Sequence, residues 1–430
     1  MIINYLHENM NKIKHFFIIC LLSFSFGLNA QSTLQSCMAL AEKNNPQAQL
    51  LPLVNEAEAV QLNALNKNLL PQAAIGGQAS WQSAVTSLPI SLPNISVPTI
   101  PKDQYKATLD LTQILWDGGT LKSQKLLTKA NAAADTRNIE NNIYQTKEQV
   151  STLYFGVLLA EKQLANMAIT KNDLENQLKK INANVENGTA VKSNAMALEA
   201  RLIELKQQQR EVRSRKLSAL KGLSILTGSE FPENIILEEP ILDLAEETSI
   251  NRPELKFFDA QKELAEANKS LIKSKYSPKV NLFATGGYGR PALNFLSPDF
   301  STYFIGGLSL RIPLSQFYLK SKQSDFRQID INKEKIDKQK DIFLQQTQLK
   351  LASQREDLAK LQDQILEDKR LIEIRDYMKR TAENRLENGI ITVSDYISEV
   401  DNETMAKQNL SLHQVQLLQV IQNIKIISGK

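Results

Sequence analysis

Apolar residues in this chain follow two different periods. From residue 75, Ile75, Gly77, Ala79 and Trp81 alternate with Gly76, Gln78, Ser80 and Gln82. From residue 105, Tyr105, Ala107, Leu109 and Leu111 alternate with Lys106, Thr108, Asp110 and Thr112. The pattern returns later, with Val280, Leu282, Ala284, Gly286 and Tyr288 set against Lys279, Asn281 and Thr285. It returns again with Phe304, Gly306, Leu308, Leu310 and Ile312 against Ser309 and Arg311. A period of two with one apolar and one polar face predicts strands, at about 72–85, 103–116, 278–289 and 301–314. Loops are expected at 86–102, which holds four prolines, and at about 290–300.

The second period is helical. Leu174, Leu178, Ile181 and Val185 step by 4, 3 and 4, and Ala195, Leu198, Leu202 and Leu205 by 3, 4 and 3. The same spacing recurs in Leu358, Leu361 and Ile365, in Leu371, Ile374 and Met378, and in Leu417, Ile421 and Ile424. Three-four spacing makes a narrow seam for coiled-coil packing. All fourteen prolines lie outside residues 102–231 and 314–430. Proline costs ~3 kcal/mol inside a helix, so these two stretches are candidates for very long helices. Asn187-Gly188 and Asn388-Gly389 break them once each, as glycine does at helix C-termini. The expectation is two helical hairpins, 119–227 with its tip near 186–193 and 318–427 with its tip near 387–394. A helix over residues 120–185 is roughly 95–100 Å long at 1.5 Å per residue. With so little apolar surface it needs neighbours, including other subunits.

The two halves repeat each other. Pro46 and Pro71 match Pro253 and Pro278, and Leu109 and Leu111 match Leu308 and Leu310. Glu186-Asn187-Gly188 matches Glu387-Asn388-Gly389, and Ser193-Asn194 matches Ser394-Asp395. A helix, strand pair and helical hairpin have been duplicated, with a first repeat over 31–230, a linker over 231–252 and a second repeat over 253–430. The strands fit either a soluble sandwich or a membrane barrel with a wet lumen. Four strands close no barrel, since single-chain barrels begin at about eight. In lipid, open edges leave unsatisfied backbone groups, so closure has to come from identical subunits in a ring.

The N-terminus bears on that choice. Lys12 and Lys14 precede an apolar run from residue 16 to 28, and Asn29-Ala30 follows. This reads as a secretory signal peptide over residues 1–30, with translation starting at Met1 or Met10. The apolar run is shorter than the ~20 residues a membrane helix needs. Cys20 lacks the small residues of a lipoprotein box, so no lipid anchor is expected. Removing the signal leaves His413 as the single histidine and Cys37 as the single cysteine. That leaves no intramolecular disulfide and no Cys/His zinc site, and one histidine with no visible partner for acid–base chemistry. Cys37 reads as a small buried hydrophobe. With 51 basic and 47 acidic residues, unclustered along the chain, nucleic acid is not indicated. Neither a metal nor a cofactor is expected, and no enzyme motif stands out.

In this order and duplicated, the segments resemble the TolC-like outer-membrane factor family over the whole mature chain. Leu109-Asp110-Leu111-Thr112-Gln113-Ile114-Leu115-Trp116-Asp117-Gly118-Gly119 resembles the family's exit from strand to long helix. Ser309-Leu310-Arg311-Ile312-Pro313-Leu314 is its second-half partner. The stretches around Gly188 and Gly389 resemble the two periplasmic hairpin tips. The resemblance implies an α+β membrane protein and a homotrimer. Each subunit gives four strands to a twelve-stranded β-barrel, continuous with a periplasmic α-helical coiled-coil tunnel. It further implies outer-membrane location, docking to a periplasmic adaptor and an inner-membrane transporter, and a duct for efflux or for type I protein secretion. A periplasmic adaptor is the other reading, though it would carry one hairpin rather than two.

Three sets of site residues follow. By resemblance, Asp395, six residues after Gly389, lines the periplasmic constriction. Thr392 and Asp395 also have capping-box spacing, which explains the acid without a channel. Ser398 stands where many relatives have a second acid, and Ile391 where some have a basic residue. Gly188, Thr189, Ala190 and Val191, with Gly389, Ile390, Ile391 and Thr392, are the implied adaptor contacts, although turn geometry alone accounts for the glycines. Trp81, Tyr105, Trp116 and Tyr288 are candidates for the aromatic girdles of a membrane sheet, or for plain sheet packing.

Overall fold

The computed structural model describes residues 33–86, 100–243, 249–294, 296–314 and 319–430. The expected signal segment and most of the first strand-to-strand loop lie outside the described residues. In chain order the elements are α1 (Leu34–Asn44), a 3-10 turn (Pro46–Gln49), α2 (Leu50–Lys67), β1 (Gln72–Trp81), β2 (Asp103–Trp116), α3 (Thr120–Glu186) and α4 (Lys192–Thr227). Then come α5 (Pro253–Lys275), β3 (Lys279–Arg290), β4 (Ser301–Arg311), α6 (Ser321–Glu387) and α7 (Val393–Ser428). Both α3 and α6 run unbroken for 67 residues. β1 stops at Trp81, short of the expected 85, because its partner β2 begins opposite, at Asp103. β4 stops at Arg311, which faces the first residue of β3, and Pro313 beyond it has no N–H for a ladder.

The chain divides into two compact units that cut across the repeats. One takes the chain up to Asn45 with residues 143–250 and 349–430, and the other takes 46–142 and 251–348. Each unit draws on both repeats, so the repeats are units of sequence and not of packing.

The second unit carries the sheet, in the order β1-β2-β3-β4 with every neighbour antiparallel. Below β3 and β4, helices α5 and α6 are tied by an antiparallel ladder of ion pairs. Asp259–Lys340, Lys262–Asp337, Glu266–Lys333 and Lys269–Asp330 all close at 2.7–2.9 Å. The rungs recur every three or four residues because that spacing keeps them on one helix face.

The first unit holds two apolar cores. One gathers Leu34, Cys37, Tyr154, Phe155, Leu220, Leu223 and Ile426 around α1. Its tyrosine hydroxyls are satisfied, Tyr144 donating to the Ile426 carbonyl and Tyr154 to the Glu238 carbonyl, each at 2.7 Å. Cys37 is buried, as its sequence context suggested, and burial pushes its thiol up to about 11. The other core joins both hairpins through Leu174, Ile181, Ala195, Leu198, Val393, Tyr396 and Val400. The seam at Leu371, Ile374 and Met378 behaves differently and stays 38–50% exposed along α6. His413 is not partnerless, because its Nδ1 lies 2.6 Å from Asp368 Oδ2. The two residues sit 45 positions apart on different helices, which no local reading connects.

Candidate functional site: hairpin tips and a two-faced sheet

Both tips are built the same way. At the first, Gly188 takes φ +72°, its N–H bonds to the Val185 carbonyl at 3.1 Å, and the Thr189 N–H reaches the Asn184 carbonyl at 2.8 Å. At the second, Gly389 takes φ +68°, its N–H bonds to the Leu386 carbonyl at 3.0 Å, and the Ile390 N–H reaches the Arg385 carbonyl at 2.8 Å. This pair of bonds is the Schellman stop, and its left-handed residue is why glycine stands at both places. Thr189, Val191, Ile390 and Thr392 are exposed at the turns, while Ala190 and Ile391 are half-buried. An exposed valine and isoleucine in tight turns leave each tip with apolar surface facing outward.

The tips differ in how the return helix starts. Val191 precedes α4 with no side-chain cap. Thr392 precedes α7 in a complete capping box. Asp395 Oδ2 accepts the Thr392 N–H at 2.9 Å and the Thr392 hydroxyl at 2.7 Å, and the Asp395 N–H donates to Thr392 Oγ1 at 3.2 Å. The Thr392 backbone N–H, then its hydroxyl, hold the Asp395 carboxyl below its ordinary value. Asp395 is exposed, so it presents a fixed negative charge to solvent.

Behind the tips, charged pairs connect the two hairpins. Lys180 on α3 reaches Glu383 at 3.1 Å and Glu387 at 2.6 Å on α6. Arg201 on α4 reaches Asp401 on α7 at 2.7 Å. Lys379 on α6 lies between Asp173, at 2.8 Å, and the buried Glu403, at 3.5 Å. None of these pairs was singled out from the sequence, since those between hairpins join residues about 200 positions apart, and Lys379–Glu403 joins two helices of the second hairpin.

The sheet has two unlike faces. The register puts Ile75 opposite Leu109, Leu109 opposite Gly286 and Gly286 opposite Phe304, all on one face. That face is apolar and open, with Ile75 88%, Phe304 69% and Leu308 67% exposed. The opposite face is mainly polar, carrying Gln78, Lys106, Thr108, Asp110, Thr285 and Ser309, with Phe283, Tyr303 and Ile305 among them. On it Asp110 accepts from Thr285 at 2.6 Å and from Thr108 at 2.9 Å.

Aromatics stand at both ends of the strands. Tyr105 and Tyr288 stack on Phe300, with centroids 6.3 and 5.5 Å apart, near the loop ends. Trp81, exposed at the same end, lies 5.8 Å from the Lys102 ammonium, and Trp116 is exposed at the other end, where β2 leads to α3. Among the described residues β1 pairs only with β2, and β4 only with β3, so both edges are open. Among the described residues no helix is long and apolar enough to cross a membrane, and no group of three or more His, Cys, Asp or Glu is placed to hold a metal.

No protein-family model and no curated protein sequence matches the chain. Solved structures do match it. The outer membrane protein VceC from Vibrio cholerae aligns with a TM-score of 0.66 at 14% identity, over 92% of this chain and 96% of its own. The CmeC outer membrane channel of Campylobacter jejuni aligns at 0.65 and 17% identity, over 92% and 85%. The open state of the MtrE outer membrane channel of Neisseria gonorrhoeae aligns at 0.63 and 16% identity, over 92% and 89%. Over nearly its whole described length, the chain has the fold of the TolC-like outer-membrane channels.

Proposed function

We propose that three copies of this chain form an outer-membrane exit duct for efflux, docked through the hairpin tips to a periplasmic adaptor and an inner-membrane transporter. The sheet carries the proposal. One face is apolar and exposed, the other is mainly polar, and both edge strands are open among the described residues. In lipid those edges need backbone partners, and three copies supply a closed ring of twelve strands. The apolar face then meets lipid, the polar face lines the lumen, and Trp81, Tyr105, Tyr288 and Trp116 lie at the two interfaces. The exposed seam of Leu371, Ile374 and Met378 supports the same assembly, since a neighbouring copy would cover it. The structural neighbours are outer membrane channels, which supports export rather than catalysis as the task. No step in this task needs a metal or cofactor.

In this reading Gly188, Thr189, Ala190 and Val191, with Gly389, Ile390, Ile391 and Thr392, meet the adaptor. Asp395 from each copy contributes to a ring of carboxylates at the narrow periplasmic end, which favours cations and repels anions. The test is reconstitution of the purified full-length protein. The expected outcome is a heat-modifiable trimer on gels and single-channel conductance in planar bilayers. A monomer that floats with no vesicle and conducts nothing overturns the proposal.

A further inference from the structure

A groove of about 820 Å³ opens across α2, α3 and α5, beginning at Gly118, two residues beyond Trp116. Its lining is unusual in charge. Lys122, Lys125, Lys129 and Lys273 reach it, and no acid does. Lower on α5 the pattern is the opposite, since Lys262 and Lys269 each close an ion pair with an aspartate of α6. The nearby Asp117 is turned onto its own helix, accepting the Gly119 N–H at 2.8 Å and the Leu121 N–H at 2.5 Å. Leu62, Leu121 and Leu126 share the lining, with Ser270 and Ser274. The lining is amphipathic, leucines beside four lysines.

We infer that this groove binds the headgroup of an anionic phospholipid from the periplasmic leaflet. The inference rests on the reading of the sheet as membrane-spanning, which sets the depth. The apolar face ends with Trp116, so the groove opens at the level where headgroups begin. Like charges are gathered there without protein counter-charge, which an anionic lipid surface supplies. The leucines accept the glycerol end of the lipid and the lysines its phosphate, while the Ser274 hydroxyl is given to the Leu271 carbonyl at 2.7 Å. In the proposed ring, other copies join at the open edges β1 and β4, whereas the groove is centred on α3, whose strand β2 is interior to the sheet. The chain shows no basic run here, because Lys273 comes from a helix about 150 residues beyond the other three.

The test uses the full-length protein in phosphatidylcholine vesicles carrying spin-labelled phosphatidylglycerol or spin-labelled phosphatidylcholine. The wild type is expected to hold the anionic probe in preference to the zwitterionic one. Lys122→Gln, Lys125→Gln, Lys129→Gln and Lys273→Gln together should lower that preference ~tenfold. The same substitution at Lys43, Lys179, Lys206 and Lys221, which removes equal charge elsewhere, should leave it intact. If the fourfold variant does not fold, the pairs Lys122→Gln/Lys125→Gln and Lys129→Gln/Lys273→Gln are read separately, each expected to give a partial loss. Unchanged preference in the groove variants overturns the inference. So does displacement of the probe by inorganic phosphate at equal concentration, which would mark a free-anion site. A wild type that floats with vesicles yet shows no preference overturns this inference alone. One that does not insert at all overturns the membrane reading, and this inference falls with it.

Discussion

Asp395 has two separable jobs, because its carboxylate caps α7 through Oδ2 while its charge faces solvent. Asp395→Asn removes the charge and keeps an acceptor oxygen. Thr392→Val removes the capping hydroxyl and keeps the charge. The cap predicts that Thr392→Val lowers stability by ~1 kcal/mol. The proposed constriction predicts that Asp395→Asn weakens cation selectivity in planar bilayers and that Thr392→Val does not. Equal selectivity in wild type and Asp395→Asn would remove Asp395 from the gate. The pH dependence has a definite sign. The Asp395 carboxyl lies below its ordinary value when folded, so its contribution is present above the unfolded value of ~4 and is lost as pH falls through the folded one. The melting-temperature gap between wild type and Asp395→Asn should therefore shrink on acidification. A gap that stays constant to low pH would show that the charge has no part in the cap.

At the scale of elements, the hairpin tips combine a strict backbone requirement with freedom in the side chains beside it. Gly188 and Gly389 are fixed by their left-handed φ, while Thr189 and Ile390 are exposed at the turns, Thr189 giving its hydroxyl to the Asn184 carbonyl at 3.0 Å. Thr189→Glu with Ile390→Glu should leave trimers and conductance intact and abolish export in cells, because a charge in an apolar docking surface has no partner. Export at the wild-type level by that double variant would move the adaptor contact elsewhere. The elements themselves were legible in the sequence for physical reasons. Period-two alternation marked four strands to within a few residues, and proline exclusion with one Asn-Gly break per stretch marked the hairpins. The capping box was visible as Thr392 and Asp395 spacing. What stayed hidden depends on contacts between distant segments. His413 finds Asp368, Lys379 lies between Asp173 and Glu403, and Lys273 joins Lys122, Lys125 and Lys129 only once the chain is folded. Periodicity reports which face of an element is buried, and it carries no information on which element lies opposite. The exposed seam at Leu371, Ile374 and Met378 makes the same point from the other side, since its pattern is clear and its own chain leaves it 38–50% exposed.

For the molecule as a whole, the deciding question is which solvent each face of the sheet meets. Leu308 and Thr108 make a controlled comparison. Leu308 sits on the apolar face, paired with Leu282 on an edge strand and largely exposed. Thr108 sits on the polar face of an interior strand, bonded to Asp110 at 2.9 Å. In a soluble sandwich the apolar face would be covered by a second layer, and Leu308→Lys would bury an unpaired charge while Thr108→Lys changed little. In the barrel reading, Leu308→Lys instead puts a charge in hydrocarbon, costing about 2–4 kcal/mol per subunit at mid-depth, multiplied by the number of subunits in the ring. The two readings agree on which variant suffers and differ in what rescues it. The barrel predicts that Leu308→Lys protein folds poorly into vesicles and that the defect lessens as the bilayer is thinned, because a shorter hydrocarbon layer brings the lysine nearer an interface. Thr108→Lys should insert normally and shift conductance toward anions, since it adds a cation to the lumen wall. Insertion yield measured across lipids of decreasing chain length settles the matter. A Leu308→Lys defect indifferent to bilayer thickness, together with unchanged selectivity in Thr108→Lys, would mean that neither face meets what the barrel assigns to it.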